Sequence, residues 1–524
     1  MDREFDTVKE SRLLLSTMAV SSDSLARYYH EATKYHPETL ARRSKGLDWE
    51  KQPAVFKEYQ IGTVYDLKPY LSESSDPLPE RESWSRLSRF LACSYGLTAT
   101  VMTMGQPLYL RAAPSAGGLY PAELYLVSRG GPENLLPAGL YSYQPQTHTL
   151  VHFWQDEVWS KLQSACFNPT ILHQVDWAFI TTAVFFRSIW RYEDRAYRRI
   201  FLDTGHLLGN IELAGAINHY RPYTMGGFQD QAIADLLYLD AEQEGATTVI
   251  GLQDCLQAPE KESKHLTALP SATRWDYPRL REGELLPYFH QATAMQETLT
   301  PLKVTPPVED KYNFPFCLKI PTQSSPIDWR SQLSGLEKTI LRRRSTRAFS
   351  GANLTLAELN ALLDFTYQPS HYQAQGLDPE PDYFDLSLIQ TFIAVAGVTG
   401  LEEGCYYYAP LAQELRQIRF KNFRQELHYL CLGQDLGKDA AAVIFQTADL
   451  AKAVERYGDR VYRYLHLDAG HLGQRLNLAA IHLDLGVSGI GGFFDDQVNE
   501  VLGIPTDEAV LYITTLGRPR YPWP

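Results

Sequence analysis

Apolar residues recur at helical spacing over Trp84–Tyr95 and over Leu356–Tyr367. The second run begins LTLAEL, with Thr355 placed as an N-cap and Glu358 three residues on. Longer stretches at Arg198–Ala216 and Arg463–Leu483 read as buried helices. Glu123–Val127 and Gln390–Val395 are β-branched or apolar and read as strands, as do the shorter Thr247–Ile250 and Val510–Thr515. Helix and strand signals intermingle in both halves, which predicts an α+β or α/β class. The longest apolar stretch, Leu388–Leu401, is interrupted by Gln390 and two threonines and is too short to cross a bilayer.

These elements come in pairs. RYEDRAYRRIFLDTGHL (Arg191–Leu207) matches RYGDRVYRYLHLDAGHL (Arg456–Leu472) at an offset of 265, from 191 to 456. The same offset carries Gly226-Gly227-Phe228 onto Gly491-Gly492-Phe493, and Gly139–Tyr143 onto Gly404–Tyr408. YYHEATKY (Tyr28–Tyr35) matches YFHQATAM (Tyr288–Met295) at 260. Ordered matches at near-constant spacing mean an internal duplication. The polar, proline-bearing run QAPEKESKHLTALPSATRWDYP sets the boundary: a first repeat over 1–256, a linker over 257–280 and a second repeat over 281–524. Two such copies resemble a dimer whose subunits became one chain.

Composition narrows the class. Hydrophobic residues make up 44% and charged residues 21% of the 524, an ordinary globular balance with ample aromatic content for two cores. The net charge of −13 argues against a general nucleic-acid or anionic-membrane binder. The six cysteines lie far apart with no CxxC pair, which predicts reduced, mostly buried thiols in a cytoplasmic protein. MDREFDTVKE lacks the apolar core of a signal peptide.

Four segments carry chemistry. Arg342-Arg343-Arg344-Ser345-Thr346-Arg347 sets four guanidiniums and two hydroxyls in six residues. Forked arginine donors match phosphate oxygens, although a solvated basic face would look the same. In Arg111–Pro121 (RAAPSAGGLYP), small residues and two glycines let backbone approach a planar ligand, or simply turn tightly. GIGGFFDD (Gly489–Asp496), echoed by MGGFQD, lacks the G-x-G-x-x-G spacing and the βαβ surround of a dinucleotide fingerprint. The last segment is Leu511–Leu516 followed by Gly517-Arg518-Pro519-Arg520.

As a set, PSAGGLYP, RRSTRAF, GGFFDD and the terminal LGRP resemble the nitroreductase-like flavoprotein superfamily. Within it, YHEATKYH, APSAGGLYPAELY, GLYSY and RYGDRVYRYLHLDAGH are similar to the SagB/ThcOx group, the azoline oxidases of ribosomal peptide pathways. The resemblance covers nearly the whole chain, twice. It implies an α+β fold of two tandem nitroreductase-like domains, each a central mixed sheet flanked by helices, forming an intramolecular pseudo-dimer. It also implies FMN in the interface, with phosphate held by one copy and the ring faced by a loop of the other. Carried over, Arg343, Arg344, Ser345, Arg347 and Arg518 would hold the phosphate. Pro114, Ser115, Ala116, Gly117 and Gly118 would lie against the ring, and Gly491 and Gly492 join the cofactor-binding set.

Aligned on its repeat, Arg343–Arg347 falls on Leu71-Ser72-Glu73-Ser74-Ser75, and Arg518-Pro519 on Leu252-Gln253. Pro114–Gly118 falls on Pro381-Asp382-Tyr383-Phe384-Asp385. The losses are complementary, so one composite pocket stays whole. The other would set Glu73, Asp382 and Asp385 against a phosphate. One FMN per chain, in a monomer that is its own pseudo-dimer, is the expectation.

In the resembled group a Lys-Tyr pair upstream of the RxYR segment is assigned to azoline oxidation. Arg191-Tyr192 and Arg456-Tyr457 stand there instead, and arginine does not serve as a base. Arg191 and Tyr192 are the catalytic candidates, because their repeat brings the ring-side loop. Tyr192 would donate or relay a proton and Arg191 would hold an anion; structural hydrogen bonding is the plainer alternative. His30-Glu31 with His36 lacks metal-ligand spacing, and no metal is expected. Asp203/His206 and Asp468/His471 read as core or interface hydrogen bonds. The implied activity is an FMN-dependent oxidoreductase that moves a hydride between an organic substrate and flavin N5. Its partner is a small-molecule or peptide substrate, with NAD(P)H an open second one. The rival is a flavin-binding or sequestering protein without turnover.

Overall fold

Runs of β-branched and aromatic residues in each half pair into a seven-stranded sheet, and the two sheets share one topology. In spatial order the first is Thr63–Asp66, Thr149–Trp154, Gly139–Gln144, Ala122–Ser128, Trp177–Val184, Glu244–Asp254 and Tyr220–Met225. The second is Lys319–Pro321, Glu414–Arg419, Gly404–Ala409, Gln390–Val395, Ala442–Asp449, Glu508–Gly517 and Gly486–Ile490. The computed structural model describes residues 23–38, 40, 46–72, 78–103, 106–132, 134–257, 265–299 and 309–521. The N-terminal decapeptide, Glu73–Ser75 and part of the linker therefore lie outside the described residues.

The ladders of both sheets are antiparallel, not the mixed arrangement that the resemblance implies. Short hairpin turns join Gly139–Gln144 to Thr149–Trp154 and Gly404–Ala409 to Glu414–Arg419, a connection too short for parallel neighbours. Among described strands, parallel ladder pairing is confined to Leu354–Thr355 against Val398–Thr399.

Two buried helices, α1 (Ala196–Ile217) and α2 (Val461–His482), form the centre. They cross at Gly205 and Gly470. A Cβ on Gly205 would stand 2.8 Å from Gly470 Cα, and one on Gly470 would stand 2.9 Å from Gly205 Cα. Only glycine at both positions lets the two backbones touch.

The halves exchange contacts reciprocally around this crossing. Arg195 and Arg198 each reach Asp495 at 2.8 Å, and their repeat partners Arg460 and Arg463 reach Asp230 at 2.7 and 2.6 Å. Asp459 accepts from Ala26 N of the arm helix Leu25–Ala32 at 2.9 Å, while Asp194 accepts from Leu286 N of Leu285–Ala292 at 2.9 Å. Tyr29 and Phe289, one from each arm, stack at 4.3 Å. These contacts have their mirror images, the mark of an isologous interface.

The described part of the linker is pinned to this interface. Ser271 N donates to Tyr457 O at 2.9 Å and Gly226 N to Thr267 O at 2.7 Å. All six cysteines are free, and Cys93, Cys166, Cys405 and Cys431 are buried. Among the described residues no helix is long and apolar enough to cross a membrane.

Candidate functional site

A cleft opens where the loop after Arg111 meets the second half. Pro114, Ser115, Ala116 and Gly117 form one wall, and α1 contributes Arg199, Leu202, Asp203 and His206. The second half closes it with Ser345, Arg347, Asn477, Ser488, Gly489, Gly491 and Tyr512. Gly117 has φ +66°, a conformation that favours glycine, and a Cβ there would stand 2.7 Å from Tyr192 Oη and 3.3 Å from Arg191 Cδ. The loop is fastened from below. Ser115 Oγ donates to Asp203 at 2.5 Å and Ala116 N donates to it at 3.1 Å, so the Ser115 hydroxyl is committed to the scaffold.

The arginine run divides its labour. Arg343 is buried; its Nε donates to Ala112 O at 2.6 Å and its Nη2 to Arg111 O at 3.1 Å, clamping the first-half loop. Its Nη1 is buried without a partner. Arg344 binds Thr98 Oγ1 at 3.0 Å and Thr98 O at 3.2 Å. Arg347 is exposed at the cleft, with no side-chain partner among the described residues. Arg518 does not line the cleft: it pairs with both oxygens of Glu358, at 2.8 and 2.7 Å. Glu358 is the acid of the capping box on Thr355, so its carboxylate is held where Arg518 emerges. Gly118, facing Leu108, and Gly492, facing Leu432 at 3.1 Å and Arg199 at 3.6 Å, are not part of the lining. Of the expected residues, Pro114, Ser115, Ala116, Gly117, Ser345, Arg347 and Gly491 meet in the cleft. Arg343 and Arg344 sit beneath them as clamps.

Arg191 and Tyr192 stand beside Gly117, and neither side chain makes a hydrogen bond among the described residues. Burial raises the Tyr192 pKa, so its hydroxyl keeps its proton at neutral pH. Its ring lies 3.8 Å from the guanidinium of Arg199. Arg199 itself is only 7% exposed, makes no ion pair or hydrogen bond among the described residues, and has a buried, unpartnered Nε. The repeat comparison carries a signal for it: Tyr464 occupies its place in the second half. Burial raises Asp203 to about 7, against the hydrogen bonds from Ser115 and Ala116 and the charge of Arg199. Burial lowers Arg343 to about 10, with Arg344 and Arg347 adding repulsion.

The mirror-image place is filled with protein. Phe384 stacks on Tyr464 at 5.1 Å and Tyr383 on His471 at 4.4 Å. Asp385 takes Arg456 at 2.6 Å and Tyr457 Oη at 3.0 Å, so the second Arg-Tyr pair is tied down where the first is free. Asp382 is paired with His265 at 2.9 Å and with Arg221 at 3.4 Å. The expected repulsion of a phosphate by Asp382 and Asp385 is thereby corrected: these acids are already neutralised, and bulk closes the place. Glu212, the counterpart of Asn477, binds Arg475 at 2.7 Å and His471 at 3.0 Å.

The sequence profile of the nitroreductase family matches residues 76–252 and 340–518, once in each half. The chain belongs to the nitroreductase family. A candidate nitroreductase from Anabaena variabilis, solved as a crystal structure, is 65% identical to this nitroreductase-family protein with a TM-score of 0.91. That match covers 95% of this chain and all of the other. A candidate nitroreductase of Methanocaldococcus jannaschii is 31% identical over 183 residues, which is 90% of that protein and 35% of this one. The matched stretch is about as long as one of the two profile matches. Membership makes the protein an oxidoreductase related to flavin-dependent nitroreductases.

Proposed function

We propose that the protein is an FMN-dependent oxidoreductase with one composite site per chain. The observation that carries this reading is the asymmetry between the two equivalent places. One is a cleft with a glycine-bearing loop and uncommitted arginines; the other is packed with Tyr383, Phe384 and Asp385.

FMN fits the donor set. A planar ring needs close approach of backbone, for which Gly117, Gly489 and Gly491 leave room, and a phosphate needs forked donors, which Arg347 offers beside Ser345. Arg199 and Arg343 Nη1, which have no partner among the described residues, add positive charge. Bound there, FMN would supply hydride transfer at its N5. The protein's own groups do the rest. Tyr192, protonated and beside Gly117, can give a proton to a reduced substrate, and Arg191 can hold an anionic group of that substrate. Neither can accept a proton at neutral pH, so the pair suits reduction of a nitro, quinone or similar small molecule better than azoline dehydrogenation of a SagB/ThcOx-type peptide. NAD(P)H is the matching electron source. The repeats run over 1–256 and 281–524, joined by 257–280.

The visible spectrum and flavin content of the purified full chain test the reading. About one FMN per chain is expected, and Arg347→Ala and Gly117→Asp should each abolish its retention although they lie in different repeats. A ratio near two would refute the composite site, and a colourless protein the flavin reading.

A further inference from the structure

One hydroxyl in the cleft has its hydrogen-bonding direction set from deep inside the molecule. The Ser94 carbonyl can only accept, and it takes Asn210 Nδ2 at 3.2 Å. Asn210 Oδ1 therefore accepts, from Gln474 Nε2 at 2.6 Å. That leaves Gln474 Oε1 to face His206 Nδ1 at 2.9 Å, so His206 carries its proton on Nδ1. The other ring nitrogen, Nε2, must then accept from Tyr512 Oη, 2.9 Å away. Burial lowers His206 to about 3, which keeps the neutral ring that this chain of bonds requires. Tyr512 has given its proton inward, and only its lone pairs are left for the cleft.

Arg199 presents the opposite polarity. It has donors alone, and no protein acceptor takes them among the described residues. The two groups cover glycines close together in the chain: a Cβ on Gly489, in the strand Gly486–Ile490, would run into Tyr512 Oη, and one on Gly491, just past that strand, into the Arg199 guanidinium. Both groups line the cleft. One wall thus offers an acceptor beside a set of donors, the complement of a ligand edge in which N–H adjoins C=O.

The arrangement is absent from the other half. By sheet register Thr248 takes the place of Tyr512, and at the common offset Gly209, Arg475 and Tyr464 replace Gln474, Asn210 and Arg199. The chain of bonds also needs both halves, since Ser94, Asn210 and His206 belong to the first and Gln474 and Tyr512 to the second.

We propose that Tyr512 and Arg199 together read a carbonyl–N–H edge of the ligand, Tyr512 accepting its N–H and Arg199 donating to its carbonyl. This rests on the flavin reading of the cleft, since the pyrimidine ring of an isoalloxazine carries such an edge at N3. Tyr512 contacts the ligand, and Gln474 is the positioning residue that sets its polarity through His206.

The test titrates the apo full chain with FMN and with N3-methyl-FMN, following flavin fluorescence and the visible spectrum. Wild type should bind the methylated flavin roughly tenfold more weakly, as expected when an N–H and its buried acceptor both lose their partner. Tyr512→Phe should weaken FMN by a similar factor and no longer distinguish the two flavins. Gln474→Leu, which leaves the tyrosine in place and frees the His206 tautomer, should reduce the preference as well. The inference is overturned if Tyr512→Phe binds FMN like wild type, or if either variant keeps the full preference. Equal binding of both flavins by wild type also overturns it, with the flavin site intact. Binding of neither flavin by wild type refutes the flavin site itself.

Discussion

At Arg199 stability and function pull in opposite directions. A guanidinium that is 7% exposed and has no counter-ion among the described residues destabilises the fold, because burying an unpaired charge is unfavourable even beside an aromatic ring. Arg199→Met keeps the apolar stem against Tyr192 and removes the charge. The apo protein should gain on the order of 1–3 kcal/mol in denaturant unfolding, while FMN affinity falls at least tenfold. Asp203 supplies a second residue-scale expectation. Its folded pKa of about 7 lies above the carboxylate range, so the fold gains stability as pH falls from 7 towards 4 and loses it as pH rises through 7. Asp203→Asn removes that dependence. Paired melting curves should show wild type falling progressively behind the variant between pH 5 and 8. At this scale the loop and the arginine run were legible, because glycine and clustered guanidinium have few other uses. Two things were hidden. Arg518 is captured by Glu358 across 160 positions, and Arg199 lacks a partner among the described residues, which no local pattern can encode.

At the scale of elements, the repeated RYxDRxYR segment changes meaning. Its chemistry-rich look suggests a site, yet Asp194, Arg195 and Arg198, with Asp459, Arg460 and Arg463, join the two halves. The aspartates of GGFFDD and MGGFQD are their targets. Asp495→Asn leaves two buried arginines short of a counter-charge and should cost about 3–5 kcal/mol in chemical denaturation. Against the opposing effect of burial, Arg460 and Arg463 hold Asp230 down to about 2. Its contribution is therefore complete above about pH 4 and disappears as pH falls through 2. Acid titration of Asp230→Asn should lack the part of the wild-type transition in that window. Helix and strand positions followed directly from periodicity. Strand direction did not, since strands buried on both faces give the same apolar run in either orientation.

For the whole molecule, duplication was legible because the two copies retain ordered matches, and interfacial glycines, arginines and aromatics were among the residues retained. The reciprocal clamps imply that neither half is complete alone. Halves divided within 258–264 and expressed separately should be poorly soluble, whereas co-expression should restore a single complex with one flavin. Size-exclusion chromatography with absorbance at the flavin band would show it, and a stable, yellow single half would contradict it. The aromatic filling at Tyr383, Phe384 and Asp385 bears on ancestry too. When identical chains pair, one gene writes every substitution into both sites at once, so a residue that blocks one blocks the other. Such a blockage becomes tolerable only after each copy has its own stretch of coding sequence. Duplication therefore came before filling, and the closed half records that the two copies had already become separate stretches of sequence.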